Sequence, residues 1–209
     1  MIIDDEVYDH FKTWTRQYIN DYCLVRDTKM PGKIPGTTYT WMFYLRNGLF
    51  NKTFMTSISI MFLYQAERHI SESLDFQLTG LETAATPMVV GIPLVLDKLF
   101  PNIDISGFIV RKDPKEYGLL NWIEGLENDK PVLMVDDLCN SSSSLRRCYD
   151  ILTLHDRFTF LPYAFTIVNK SNKGVHDKQR LESDMYLPES FKVISLFTLD
   201  DFGLTGPSH

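Results

Sequence analysis

Hydrophobic positions recur at helical spacing near the start of the chain, at Val7, Phe11, Trp14 and Tyr18. The same period returns at Phe54, Ile58, Met61 and Phe62, with Asn51 and Thr53 just upstream as capping residues. A third helix is predicted over about 86–100, where Pro87 suits the first turn and Pro101 with Asn102 ends it. A further helix is predicted after Ser144. Runs rich in β-branched and aromatic residues predict strands at 105–110, 132–135, 160–168 and 191–197. From about residue 76 onward strand and helix alternate, which fits a mostly parallel sheet covered by helices. The polar stretch 169–183 reads as a long loop. No internal repeat interrupts this order.

Composition narrows the picture. A chain of 209 residues, 44% hydrophobic and 13% aromatic, can bury one sizeable core. A net charge of −6 argues against a general nucleic-acid binder. The start, Met1-Ile2-Ile3-Asp4-Asp5-Glu6, lacks the basic and apolar regions of a secretion signal. The longest apolar run, 88–96, contains Gly91 and Pro93 and is too short to span a bilayer. A cytoplasmic protein without membrane contact is the expectation. Cys23, Cys139 and Cys148 show no paired spacing and are expected as free thiols. His10, His69, His155, His176 and His209 are scattered, and no side-chain metal site is expected.

The chemistry concentrates in 131–145. Four apolar residues lead into Asp136 and Asp137, then Asn140, Ser141, Ser142, Ser143 and Ser144 open a helix. Ligands of α/β sheets sit beyond the carboxyl ends of the strands, and a helix start offers free amides to a phosphate. Carboxylates would repel that phosphate but accept hydrogen bonds from a sugar diol nearby. The run therefore suits a ribose 5-phosphate grip. Read alone, it also suits an ordinary Asp turn followed by a flexible serine linker. A second cluster, Arg111-Lys112-Asp113-Pro114-Lys115-Glu116-Tyr117-Gly118, follows a predicted strand. It reads either as a solvated charged turn or as a cationic lid over a polyphosphate.

Taken together these segments resemble the orotate phosphoribosyltransferase family. Its pattern is a strand ending in Arg-Lys, then x-x-Lys-[Asp/Glu]-[His/Tyr]-Gly, then an acidic pair opening the phosphate loop. Residues 47–51, 80–94 and 192–201 resemble further family segments, in order, from about residue 40 onward. The resemblance implies an α/β chain of the type I phosphoribosyltransferase fold, with a mostly parallel central sheet flanked by helices. It implies one domain over 1–209, with a small hood from roughly 1–50 and the C-terminal segment. It implies transfer of phosphoribose from phosphoribosyl pyrophosphate to orotate in pyrimidine nucleotide biosynthesis, with Mg2+, by a homodimer. Carried over, Arg111, Lys112, Lys115 and Tyr117 belong to the lid, with Lys115 its main cation. Asp136 and Asp137 would hold the ribose hydroxyls, and Asn140 to Ser144 would cradle the 5-phosphate. Tyr44 would stack on the base, and Lys170 would face it. Lys33 would stand for a lysine at the base end.

The chain departs from the family at Asn140 for Thr, Ser142 for Gly and Lys170 for Arg. A pyrophosphate-loop lysine carried by some members is absent from Thr83-Ala84-Ala85. Serine lacks the backbone freedom of glycine, and lysine lacks the planar fork of arginine. Two alternatives follow: the same chemistry on another base, or a non-catalytic nucleotide-binding protein of the same fold.

Overall fold

The computed structural model describes residues 2–31, 38–70, 74–114, 121–170 and 187–204. Helix α1 (Asp5–Tyr18) starts where the Asp4 carboxylate accepts from the Val7 amide. One irregular turn leads into a hairpin of β1 (Leu24–Pro31) and β2 (Thr38–Phe43). The sequence reading did not predict this hairpin, although Tyr39, Trp41 and Phe43 alternate as strand residues do. A short helix α2 (Arg46–Leu49) precedes α3 (Lys52–His69). The Asn51 side chain accepts from the amides of Thr53 and Phe54 and caps α3, so Asn51 is the cap of the two candidates.

The main sheet then builds in order: β3 (Gln77–Leu81), α4 (Thr86–Leu99), β4 (Ser106–Val110), β5 (Ile123–Glu124), β6 (Val132–Cys139), α5 (Ser143–Thr153), β7 (Phe160–Asn169) and β8 (Lys192–Thr198). Its strands lie in the order β5-β4-β3-β6-β7-β8, with β5 the antiparallel edge and the rest parallel. This is the α/β architecture expected from the alternation. Strand β3 was missed because Gln77 and Thr79 break its hydrophobic run. Both are fully buried and satisfied, Gln77 by the carbonyls of Asn128 and Lys130 and Thr79 by the Phe108 carbonyl.

Burial on both faces explains the near-continuous apolar strands. Leu133 and Val135 of β6 pack toward α3 and α4, whereas Val132 and Met134 pack toward α5. Helix α1 turns Tyr8 and Thr15 inward and leaves Val7 exposed, so the predicted stripe is rotated at its first position. The C-terminal turn Asp200–Phe202 closes on the hairpin: Arg26 donates to the Phe202 carbonyl at 2.9 Å, and the Phe43 and Phe202 rings lie 5.2 Å apart.

From β3 the chain crosses over α4 to β4 on one side, and from β6 it crosses over α5 to β7 on the other. The crevice between diverging crossovers is where α/β sheets bind ligands. Gly80 lets β3 close on this point: a Cβ there would lie 2.3 Å from the Ala85 Cβ and 2.4 Å from the Val135 carbonyl oxygen. No described helix is long and apolar enough to cross a membrane.

Candidate active site

The acidic pair sits within β6 and not after it. The predicted strand ended at Val135, but pairing to β7 continues through Asp136, opposite Thr166, as far as Cys139, opposite Asn169. Ladder bonds on the β7 side hold the backbone extended, so the carboxylates stand on a fixed scaffold. Asp136 is 7% exposed. Its carboxylate accepts from the Asp137 amide at 2.9 Å. Burial, reinforced by the adjacent Asp137 charge, raises the Asp136 pKa to about 8. Burial also raises Asp137, and the Arg46 guanidinium on α2 opposes that rise. Arg46 was not among the residues expected from the sequence.

Beyond the pair, the loop turns into α5. Ser142 adopts the left-handed conformation, φ 57° and ψ 13°, at the position where the family pattern has glycine. Ser141 and Ser142 are buried, and the Ser142 hydroxyl lies 3.2 Å from the Cys139 thiol. Burial pushes the Cys139 thiol up, which keeps it protonated and unreactive. Ser143 and Ser144 of the first turn of α5 line the cleft, and a loop at a helix start has the features of an anion cradle.

A cleft of about 240 Å³ opens over the loop. It is lined by Asp136, Asn140, Ser141, Ser142, Ser143, Ser144 and Lys170, and on the opposite wall by Met30, Tyr39, Trp41 and Met42 of the hairpin. The sequence-expected loop residues and Lys170 are thus brought together. Tyr44 is not among the lining residues: it is exposed, just after β2, and its amide donates to the Cys23 carbonyl. The aromatic wall is made instead by Tyr39 and Trp41.

Arg111 and Lys112 are tied at the root of their segment. The Arg111 guanidinium reaches Glu124 of β5 at 3.2 Å and the Asp113 carbonyl at 3.2 Å. The Lys112 amide donates to the Glu82 carboxylate at 2.9 Å. Arg147 on α5 donates to the Lys112 carbonyl. These contacts couple the turn after β3, the segment after β4 and the helix after the serine loop. Lys115 and Tyr117 lie outside the described residues, as does Lys33. Among the described residues no group of three His, Cys, Asp or Glu could hold a metal ion.

The parallel sheet in this strand order, with acidic residues late in β6 and a hydroxyl loop opening α5 at its crevice, has the type I phosphoribosyltransferase fold. Solved structures of that class superpose over most of the chain. Orotate phosphoribosyltransferase of Mycobacterium tuberculosis H37Rv, in complex with Fe(III) dicitrate, is similar at a TM-score of 0.66 and 18% identity, over 93% of this chain and 99% of that one. Orotate phosphoribosyltransferase from Aeropyrum pernix is similar at 0.63 and 16% identity, over 91% and 99% of the two chains. Adenine phosphoribosyltransferase from Trypanosoma brucei, in complex with AMP, pyrophosphate and ribose 5-phosphate, is similar at 0.57 and 11% identity, over 91% and 80%. At these identities the likeness is one of fold. No family model matches the sequence.

Proposed function

We propose that the protein is a phosphoribosyltransferase that moves phosphoribose from phosphoribosyl pyrophosphate to a nucleobase, with orotate as the favoured acceptor. The observation that carries this reading is the buried Asp136, beside the half-buried Asp137, set one loop ahead of α5 in a cleft lined by Asn140 to Ser144. In the reaction the ribose C1–oxygen bond to pyrophosphate breaks and a C1–nitrogen bond to the base forms. Asp136 and Asp137 accept from the ribose hydroxyls and fix the ring. Asn140 to Ser144 and the amides of α5 hold the 5-phosphate. Arg111, Lys112 and Lys115 stabilise the departing pyrophosphate and exclude water, so no side-chain nucleophile is needed. In this reading Arg111 leaves Glu124 as the segment closes.

The family resemblance implies a magnesium ion, carried in this reading on the substrate's own pyrophosphate. Bound there, the ion would neutralise leaving-group charge. Lys170 supplies the cation for an orotate carboxylate. The chain is proposed as one domain, with the hairpin and C-terminal turn as its hood, acting as a homodimer in which Lys115 serves the partner's cleft.

A second reading, transfer to another base, is favoured by Lys170 and Asn140 at positions where the orotate family has Arg and Thr. Pyrophosphate release from phosphoribosyl pyrophosphate, measured with magnesium across a panel of bases, tests both. Orotate should give the highest kcat/KM. Replacing Asp136 and Asp137 together by Asn should lower it by about two orders of magnitude, the loss of the hydrogen bonds that fix the ribose ring. No release with any base would overturn the proposal.

A further inference from the structure

The base end of the cleft holds an arrangement that no motif suggests. The Lys170 ammonium lies 4.5 Å from the centre of the Tyr39 ring and 4.7 Å from that of Trp41. The two rings meet edge to face, 5.1 Å apart at an interplanar angle of 66°. The Lys170 amide is bonded to the Cys139 carbonyl at 2.7 Å, which fixes the stem of the side chain at the end of β7. Tyr39 and Asn140 of the serine loop line the same cleft. Met30 and Met42 complete this wall of the cleft.

We propose that Tyr39 and Trp41 are positioning residues for the acceptor base, acting through Lys170. This rests on the phosphoribosyltransferase reading above. Lysine is a strongly hydrated point charge on a flexible stem, and alone it would hold a planar base loosely. Two ring faces replace part of its hydration and restrict its rotamers before any ligand arrives. The ammonium then stands at one edge of an apolar slot and meets an anionic substituent on a planar ring. The aromatic pair thereby recovers some of the orientation that an arginine fork would supply, and a lysine can serve where the family pattern has arginine.

Steady-state kinetics of Tyr39→Leu and Trp41→Leu, beside the ring-preserving Tyr39→Phe and Trp41→Phe, test the proposal. The ringless variants should raise the KM for the base about five- to thirtyfold while the KM for phosphoribosyl pyrophosphate stays near wild type. The ring-preserving variants should stay within about threefold of wild type. NMR supplies a readout independent of turnover. The ε-methylene resonance of Lys170, assigned by its loss in Lys170→Arg, should be shifted upfield by the two rings and return to its ordinary position in the ringless variants. An active wild type whose ringless variants keep the wild-type base KM overturns this inference, as does an unshifted Lys170 resonance. A shifted resonance in a protein that releases no pyrophosphate with any base overturns the function reading instead.

Discussion

Replacing Ser142 isolates the strain stored in the phosphate loop. Its φ of 57° lies in the left-handed region, where an L-residue costs about 1–2 kcal/mol because Cβ crowds the following carbonyl. Ser142→Gly removes that cost but gives the unfolded chain more freedom, which returns about 0.5–1 kcal/mol. Ser142→Ala keeps the Cβ and its crowding. Both variants lose the hydroxyl and its contact with the Cys139 thiol, so that loss cancels between them. The glycine variant should therefore be more stable than the alanine variant by about 0.5–1 kcal/mol. In a chain of this length that is a gap of about 1–4 °C in Tm. Thermal and urea unfolding of the two variants, without ligand, measure it. An alanine variant as stable as the glycine variant, or more so, would refute the argument that the loop holds a strained serine.

Gly80→Ala should destabilise the fold by about 3 kcal/mol, because the new methyl meets the Ala85 side chain and the Val135 carbonyl together; urea unfolding reads this directly. The raised pKa of Asp136 gives a signed pH dependence. The folded state holds a proton that the unfolded state has released, so stability should fall as pH rises from near 4 to about 8. Asp136→Asn should flatten that slope in Tm measured against pH, and an unchanged slope would remove Asp136 as its source. Lys115→Ala should depress kcat far more than KM, as expected for a contact tightened at the transition state. Mixing it with Asp136→Asn protein should restore part of the activity if the site is shared between subunits; no recovery in a verified heterodimer would remove that claim.

The sequence alone determined what depends on local order. Helical spacing, caps and breakers located α3 and α4, and β-rich runs located most of the parallel sheet. The run from Asp136 to Ser144 carried its chemistry in near-consecutive residues, so Asp136 and the hydroxyl loop come to line one cleft ahead of α5. Tertiary structure decided what depends on encounters between distant segments. Whether a strand ends at Val135 or runs to Cys139 is set by pairing with β7, which no local pattern reports. Strand β3 hides behind Gln77 and Thr79, whose burial is tolerable only because carbonyls far along the chain accept their protons. The Arg46 charge near Asp137, the Arg147 bond to the Lys112 carbonyl and the Arg111–Glu124 pair all join segments that lie apart in the chain. The aromatic wall shows this most clearly. Tyr39 and Trp41 read as ordinary strand residues, roughly a hundred and thirty positions from Lys170. Only the folding of the hairpin over the end of β7 sets their rings around its ammonium, because a cation–π contact depends on distance in space and leaves no period in the sequence.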